Sequence, residues 1–327
     1  MNRILIVDGH AYAYRAFYAI RNMKSPEGRA TNAIFGFVKM LARMRVTLNP
    51  THLIVVWDGG LSAERMAALP GYKAQRPEMP DDLASQLDEI GEYLKAARIA
   101  SYCEDGVEAD DYIAFLACQS VVAGLEAVIA SSDKDFMQLV QDKSPESGVR
   151  SPELGDGCEG RGTVDSGLRT VHGKIGLFNP NDKTETIWGD EQVRGKTGVS
   201  PQQVVDWLSL MGDSVDNIPG VPGVGPKTAT DLLNQFGSVD GIYARLGEVK
   251  SERVRGALRD AEADVRRNQE LVRLKSELPW KFAADELVVG QPDAQALAGL
   301  FRRWGFRTML AEVEASQSRQ GELLPPD

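Results

Sequence analysis

The chain has 327 residues, of which 43% are hydrophobic, and it carries a formal net charge of −10. This length predicts one large domain and a smaller one. The sequence has no run of about 18 apolar residues, so it predicts neither a membrane span nor a secretory signal. The cytoplasm is therefore the expected compartment. The negative charge argues against DNA binding by overall attraction, and three cysteines without CxxC spacing argue against a disulfide framework or a zinc site.

Short apolar runs that lead into an acidic residue mark the first predicted strands. Residues 4–7 precede Asp8, residues 53–57 precede Asp58, and residues 127–130 lead towards Asp133. Such runs are typical of strands buried on both faces of a parallel sheet. Ligands of open α/β sheets bind beyond the carboxyl ends of the strands, so we expect these three aspartates to converge.

Residues 62–97 are predicted to form two helices joined by residues 70–77. Arg65, Tyr72, Lys73 and Arg76 place one aromatic ring beside three cations with few apolar neighbours. That combination suits the bases and phosphates of a single strand. A solvated surface loop is the alternative interpretation, and the neighbouring acidic residues favour the first.

The stretch around which the chain is organised lies at residues 106–114. Glu108, Asp110 and Asp111 crowd the predicted first turn of a helix, and Asp133 and Asp135 follow in a Ser-Asp-Lys-Asp sequence. Crowded carboxylates repel one another, and a hard divalent cation such as Mg²⁺ removes that repulsion. A single aspartate after a strand is more often a turn or cap residue, but this many acids together predict a metal site.

The second half of the chain begins after a segment, residues 142–173, whose Gly, Ser, Pro and charge content predicts a mostly disordered insertion. A hairpin is predicted to turn at residues 179–182, and a helix to start at Ser200. Residues 212–229 then hold Asp213 and Asp216, followed by a glycine-rich turn that suits a phosphate-binding helix-hairpin-helix. Its candidate DNA-binding residues are Gly220, Gly223, Gly225, Lys227 and Thr228. Charged helices, a helix over 294–310 and a frayed tail after Val313 complete the prediction.

With these motifs the chain resembles the 5′ nuclease, or flap endonuclease, family, in particular the 5′→3′ exonuclease domain of bacterial DNA polymerase I. The motifs occur in the same order as in that family. The matching pieces are residues 6–9, 57–58, 72–76, 108–111, 132–135 and 212–229. The resemblance implies an α/β fold, with a PIN-like nuclease core, a central mostly parallel sheet, a helical arch and a helix-three-turn-helix DNA-binding domain. It implies a core at 1–198 with the arch at about 62–97, a DNA-binding domain at 199–290, and a C-terminal helix and tail at 291–327.

The resemblance also implies a function and a set of site residues. It implies metal-dependent 5′→3′ exonuclease and 5′-flap endonuclease activity on DNA, in primer removal and repair, with two or more Mg²⁺ or Mn²⁺ ions and a K⁺ ion at the hairpin. Lys73 and Arg76 would contact the scissile phosphate, Tyr72 would stack on a base, and Arg15 and Arg65 would contact phosphates. The implied metal ligands are Asp8, Asp58, Glu108, Asp110, Asp111, Asp133, Asp135, Asp213 and Asp216.

Partners and alternatives follow from the same residues. The expected partners are DNA with 5′ flaps or 5′ ends, RNA primers and a separate DNA polymerase, with the chain itself a monomer. If nine of the 47 acidic residues face metal, the remaining charge is close to balance against 37 basic residues, so the net charge does not forbid DNA binding. A non-catalytic protein that binds branched DNA, and a ribonuclease of the wider PIN-like group, are the alternatives.

Overall fold

The structure, a computed structural model, describes residues 2–142, 173–179, 184–276 and 278–322. Within these residues one six-stranded sheet has the order β3-β2-β1-β4-β5-β6, with the first five strands parallel and β6 antiparallel. The strands are β1 (Arg3–Asp8), β2 (His52–Val56), β3 (Ala100–Tyr102), β4 (Glu126–Ala130), β5 (Ile175–Phe178) and β6 (Ile187–Trp188). The fold is therefore mixed α/β with a central, mostly parallel sheet, as predicted.

Helices cover both faces of this sheet, because its central strands are apolar on both sides. Leu5 and Val7 of β1 pack in one hydrophobic core, and Ile4 and Ile6 pack in a second core on the opposite face. The helices of this part are α1 (Gly9–Ala19), α2 (Asn32–Leu48), α3 (Ala63–Ala68), α4 (Asp81–Ala96), α5 (Ala109–Val122) and α6 (Asp190–Thr197). The predicted pair of helices within residues 62–97 is confirmed as α3 and α4.

A helical unit follows the sheet. Its helices are α7 (Val204–Met211), α8 (Pro226–Phe236), α9 (Val239–Ala244), α10 (Glu252–Asp260) and α11 (Glu262–Val272). Between α7 and α8 a short antiparallel ribbon pairs β7 (Gly212–Asp213) with β8 (Ile218–Pro219), which the sequence did not predict. The second hydrophobic core, on the α5 face of the sheet, continues into this unit, so the two parts pack as one body.

The C-terminal region differs from the prediction. The helix expected over 294–310 is divided at Gly305, whose φ of +76° ends α12 (Ala294–Trp304), and α13 (Arg307–Glu322) begins just beyond it. The tail expected to fray after Val313 is therefore helical to Glu322. The segment predicted to be disordered at 142–173 lies almost wholly outside the described residues, as does most of the predicted turn at 179–182. None of the described helices is long and apolar enough to cross a lipid bilayer.

Candidate active site

Asp8 ends β1 and begins α1. One carboxylate oxygen accepts the Ala11 backbone N–H at 3.0 Å, which caps the helix, and the other accepts the Ser131 hydroxyl at 2.9 Å. Burial is the main cause that raises the pKa of Asp8 to about 6, with further contributions from Asp133 and Asp58. Asp133 and Asp58 therefore both lie close enough to Asp8 to disfavour its ionisation, as expected of acids at the same edge of a parallel sheet.

Asp133 and Asp135 follow β4. The Asp135 backbone N–H donates to Asp133 Oδ1 at 2.9 Å, and the Asp133 N–H donates to Ser131 Oγ at 3.1 Å, so one compact turn holds both carboxylates. Burial first, and then neighbouring carboxylates, raises the pKa of Asp133 and of Asp135, the latter well above its ordinary value. Asp110, in the first turn of α5, has its pKa raised well above the ordinary value by burial and then by Asp133.

The β7–β8 ribbon adds the last two carboxylates. Asp213 ends β7 and Asp216 lies in the turn, and both are buried. Oxygen atoms of Asp135, Asp213 and Asp216 lie within 4.8 Å of one another. A cavity of about 310 Å³ opens beside them, lined by Asp8, Ala11, Ser131, Ser132, Asp133, Lys134, Asp213, Val215 and Asp216.

This oxygen-rich cavity fits divalent cations. Asp135 Oδ1 is buried, and within the described residues it has no hydrogen-bond partner. A buried carboxylate oxygen without a donor is costly unless a cation binds it. Several nearby carboxylates whose pKa values are raised by burial and mutual repulsion, together with an all-oxygen donor set, suit a hard ion such as Mg²⁺ or Mn²⁺.

The arch loop, residues 71–76 between α3 and α4, lies against this cavity. Lys73 Nζ donates to Glu108 Oε2 at 2.7 Å and lies 3.9 Å from an Asp110 oxygen, while Arg76 donates to Asp216 Oδ1 at 2.7 Å. These bonds place two predicted catalytic cations among the carboxylates. They also hold Glu108, whose pKa is lowered by Lys73 and Arg65 against the opposing effect of burial, so that it stays ionised although only 2% exposed.

Further hydrogen bonds attach the arch loop to the turn of the β7–β8 ribbon. The Lys73 backbone N–H donates to the Asp216 carbonyl at 2.9 Å. The Asn217 side chain donates to the Gly71 carbonyl at 2.7 Å and accepts from Gln75 at 3.2 Å. Two segments far apart in sequence are therefore joined beside the acidic cavity.

Three residues lie elsewhere than the sequence indicated. Both oxygens of Asp111 accept from Arg65, at 2.8 Å each, and this buried pair also receives the Lys275 N–H. Arg65 further donates to the Leu271 carbonyl, so it joins α3 to the end of α11 and has no free face for phosphate. Asp111 is accordingly left out of the metal cluster. Tyr72, expected to stack on a base, is 3% exposed and donates its hydroxyl to Glu108 at 3.0 Å.

The glycine-rich turn precedes α8, as predicted. Gly225 occupies the N-cap position of α8, and Lys227, in its first turn, is exposed. Gly223 has a φ of +80°, and a Cβ there would lie 2.6 Å from the Arg253 guanidinium. The turn therefore has a second cation beside it, Arg253, which sequence reasoning missed because 30 residues separate it from the glycine. The remaining predicted contacts lie at Gly220 in the same turn, at Thr228 in α8 and at Arg15, half-buried in α1.

Comparison with known proteins identifies the family. The model of the 5′-3′ exonuclease N-terminal resolvase-like domain matches residues 3–150, and that of the 5′-3′ exonuclease C-terminal SAM fold matches residues 199–295. A 5′-3′ exonuclease of Aquifex aeolicus is 33% identical over 315 residues, covering 96% of this chain and 96% of that protein. The chain belongs to the 5′-3′ exonuclease family. It also matches DNA polymerase I of Bacillus caldotenax, with 33% identity over 97% of this chain, but spans only 33% of that protein.

A solved structure shows the same fold. The bacteriophage T5 flap endonuclease, in a complex with DNA and metal ions, superposes with a TM-score of 0.64 at 21% sequence identity, covering 96% of this chain and 100% of that one. The match to the resolvase-like domain covers β1 to β4 with α1 to α5, and the match to the SAM fold covers α7 to α11 and the first residues of α12.

Sequence reasoning also missed residues that contact the acidic residues of the site. Ser131 bonds both Asp8 and the backbone of Asp133, and Lys134 lies 3.1 Å from an Asp213 oxygen. His10 Nδ1 accepts the Asp58 backbone N–H at 3.0 Å, and burial lowers the pKa of His10, which favours the neutral ring that such an acceptor requires. The signal for Ser131 and Lys134 was their place inside the acidic Ser-Asp-Lys-Asp segment, whereas His10 had none beyond its proximity to Asp8.

Proposed function

We propose that the chain hydrolyses phosphodiester bonds of DNA in a metal-dependent reaction. It would act as a 5′→3′ exonuclease and as an endonuclease at 5′ flaps, near junctions of single strand and duplex. One observation carries the proposal: carboxylates from three separate segments, at the end of β1, after β4 and in the β7–β8 ribbon, converge on one cavity. Such a reaction would need no serine or cysteine nucleophile, because bound ions would supply the attacking water.

The carboxylates have different proposed roles. Those that line the cavity, Asp8, Asp133, Asp213 and Asp216, would hold the ions together with Asp58, Asp110 and Asp135, whose charges lie close to them. Bound divalent ions would supply an acidified water and offset negative charge on the phosphate and the leaving oxygen. Glu108 instead holds Lys73 through a buried ion pair, so its proposed role is to position that cation.

The arch loop would supply positive charge to the reacting phosphate. Lys73 and Arg76 already lie among the metal carboxylates, where a phosphate bound to the same site would meet them. Both are strong hydrogen-bond donors to anionic oxygen, and Arg76 can form two parallel bonds to a phosphate. Their proposed effect is to stabilise charge that develops during cleavage.

The turn before α8 would hold the duplex next to the junction. Backbone N–H groups at the start of α8, Lys227 and Arg253 together suit a phosphate group and read no base. A K⁺ ion at the same turn would add to this grip. Thr228 and Gly220 are proposed backbone or hydroxyl contacts within it.

The identity of the ions, the further substrates, the partner, the oligomeric state and the compartment are also proposals. The ions would be Mg²⁺ or Mn²⁺, because the side chains of the cavity that can bind a cation offer only carboxylate and hydroxyl oxygens. RNA primers are proposed substrates, because metal ions held by these carboxylates would contact the phosphodiester backbone and not a base. The matched region is part of a longer DNA polymerase I in several relatives, which supports a polymerase as the partner. We propose a monomer that acts in the cytoplasm, where such DNA is processed.

The test is cleavage of an end-labelled 5′-flap DNA in Mg²⁺, with a chelator as control. Asp135→Asn should abolish cleavage and retain junction binding, because it removes the buried oxygen that lacks a partner but leaves the DNA grip unchanged. The matched control Asp285→Asn neutralises an exposed aspartate outside the cavity and should cleave like the wild type.

Two other outcomes would replace the proposal. Tight junction binding without cleavage in Mg²⁺ or Mn²⁺ would indicate a non-catalytic protein that binds branched DNA. Cleavage of a matched RNA flap with no cleavage of the DNA flap would indicate a ribonuclease.

A further inference from the structure

The turn that carries Asp58 is bonded to residues from two other segments. Asp58 follows β2 and precedes Gly59 and Gly60, the latter with a φ of +128°. The Gly59 backbone N–H donates to the Val107 carbonyl at 3.0 Å, whereas the Gly60 N–H reaches Asp58 Oδ1 only at 3.4 Å, so the turn itself restrains the carboxylate weakly. The Asp58 backbone N–H donates to His10 Nδ1 at 3.0 Å. That bond ties the turn to the first turn of α1, 48 residues earlier in the chain.

The His10 ring is held in place by its neighbours. It packs edge-on against Trp57, with ring centroids 5.4 Å apart, and Trp57 Nε1 donates to Ser101 Oγ at 2.9 Å. Gly9 allows this packing, because a Cβ there would lie 2.6 Å from the Trp57 ring. The acceptor nitrogen of His10 is therefore presented to Asp58 by a rigid arrangement of β1, β2 and β3.

Asp8 is attached to the same turn of α1. Its carboxylate caps the helix through the Ala11 N–H, and the Asp58 charge is close enough to contribute to the raised pKa of Asp8. A backbone displacement at Asp58 would therefore change its distance from Asp8. The β1–β2 ladder ends at the pair of Asp8 and Val56, and beyond that pair the bond from Asp58 to His10 joins the two segments.

We propose that His10 is a positioning residue that sets the location of the Asp58 carboxylate relative to Asp8, so that both can bind one divalent ion. This inference rests on the proposed function of the cavity. His10 acts through the Asp58 backbone and makes no contact with DNA. Residues outside the ligand set that orient metal ligands typically change metal affinity by about 10- to 100-fold when they are lost.

Two variants of the same shape separate hydrogen bonding from packing. His10→Asn places an amide oxygen where Nδ1 stood, one bond from Cγ, and keeps the acceptor. His10→Leu has nearly the shape of Asn and no acceptor, so the Asp58 N–H loses its partner. The readout is Mn²⁺ binding, for which electron paramagnetic resonance measures the concentration of free Mn²⁺. The variant Asp58→Asn identifies which bound ion depends on Asp58.

The comparison concerns the Mn²⁺ ion whose binding Asp58→Asn also weakens. For this ion, His10→Asn should keep wild-type affinity, and His10→Leu should bind at least tenfold more weakly. Cleavage should follow the same order, with a raised Mg²⁺ requirement and an unchanged KM for DNA. A purely structural role would lower the melting temperature and leave the Mn²⁺ affinity of the folded protein unchanged.

Wild-type Mn²⁺ affinity in His10→Leu, or equal weakening in both variants, would overturn the inference. If His10→Leu does not fold, His10→Gln replaces it, since its amide oxygen lies one bond further from Cγ; affinity equal to that of His10→Asn would then refute the role. Failure of the proposed function is separable. Wild type that binds Mn²⁺ without cleaving DNA refutes the nuclease and leaves the His10 comparison valid, whereas cleavage with an unaffected His10→Leu refutes the positioning role alone.

Discussion

Replacing Asp8 by asparagine should make the metal-free protein more stable, although it removes a proposed metal ligand. Burial raises the pKa of Asp8 from 3.8 to about 6, so the folded state binds this proton more tightly than the unfolded state does. The free energy of unfolding therefore falls as pH rises from about 4 to about 6, and above pH 6 the full cost is present. Each pKa unit corresponds to about 1.4 kcal/mol, which gives about 3 kcal/mol at pH 8.

The Asp8→Asn variant keeps the helix cap, because asparagine caps as well as aspartate does. The variant should therefore unfold at a temperature about 6 °C above the wild type at pH 8 in a chelator, at about 2 °C per kcal/mol for a protein of this size. The difference should disappear near pH 3, where Asp8 is protonated in both states. Added Mg²⁺ should stabilise the wild type more than the variant, since ligand binding adds about 2.7 kcal/mol at 100 times the dissociation constant.

Thermal unfolding followed by circular dichroism at pH 3, 6 and 8, with and without Mg²⁺, measures all of these differences. The exposed control Asp285→Asn should show no such pH-dependent gain. A variant no more stable than the wild type at pH 8 without metal, or one equally stabilised at pH 3 and pH 8, would refute the reasoning that Asp8 is a buried charge whose cost the metal offsets.

Other perturbations test the rest of the site. Asp111→Asn should lower the free energy of unfolding by about 3 kcal/mol, because it leaves the buried Arg65 guanidinium without its carboxylate. The same variant should leave the Mn²⁺ affinity unchanged. Weaker Mn²⁺ binding by the folded variant would return Asp111 to the metal cluster. Gly223→Ala should weaken duplex binding about tenfold in fluorescence anisotropy, because the new side chain strains a positive φ and displaces the Arg253 guanidinium. The control Gly256→Ala, which has open space around it, should bind the duplex as the wild type does. Equal affinities of the two variants would remove this turn from the DNA interface. Asn217→Gly keeps the left-handed backbone but removes both side-chain bonds to the arch loop, so trypsin should cut that loop faster; an unchanged rate would show that those bonds do not hold it.

The position of the site was predictable because it follows from strand direction. Parallel strands end at the same edge of a sheet, so acids that follow them must meet, and Asp8 and Asp133 do so beside the same serine. The strong apolar runs determined which segments become central strands. By contrast β3, with three residues, and the β7–β8 ribbon, with two residues in each strand, are too short to carry a period.

The orientation of each side chain was not predictable in the same way. Asp110 and Asp111 are adjacent in the first turn of α5, and successive residues of a helix point about 100° apart. One therefore faces the carboxylate cluster and the other faces Arg65, but only the packing of α3 and α11 decides which. Tyr72 is a similar case, since it is buried and donates its hydroxyl to Glu108, 36 residues away in the chain.

The sequence by itself determined the fold class, the family and the edge of the sheet where the acids collect, because these depend on local hydrophobic patterns and on motifs a few residues long. Only the tertiary structure decided which carboxylates remain available to a cation and which are already paired. It also decided that His10 supports Asp58 and that Arg253 lies against Gly223. Such contacts join segments tens of residues apart, and no local propensity or period encodes them.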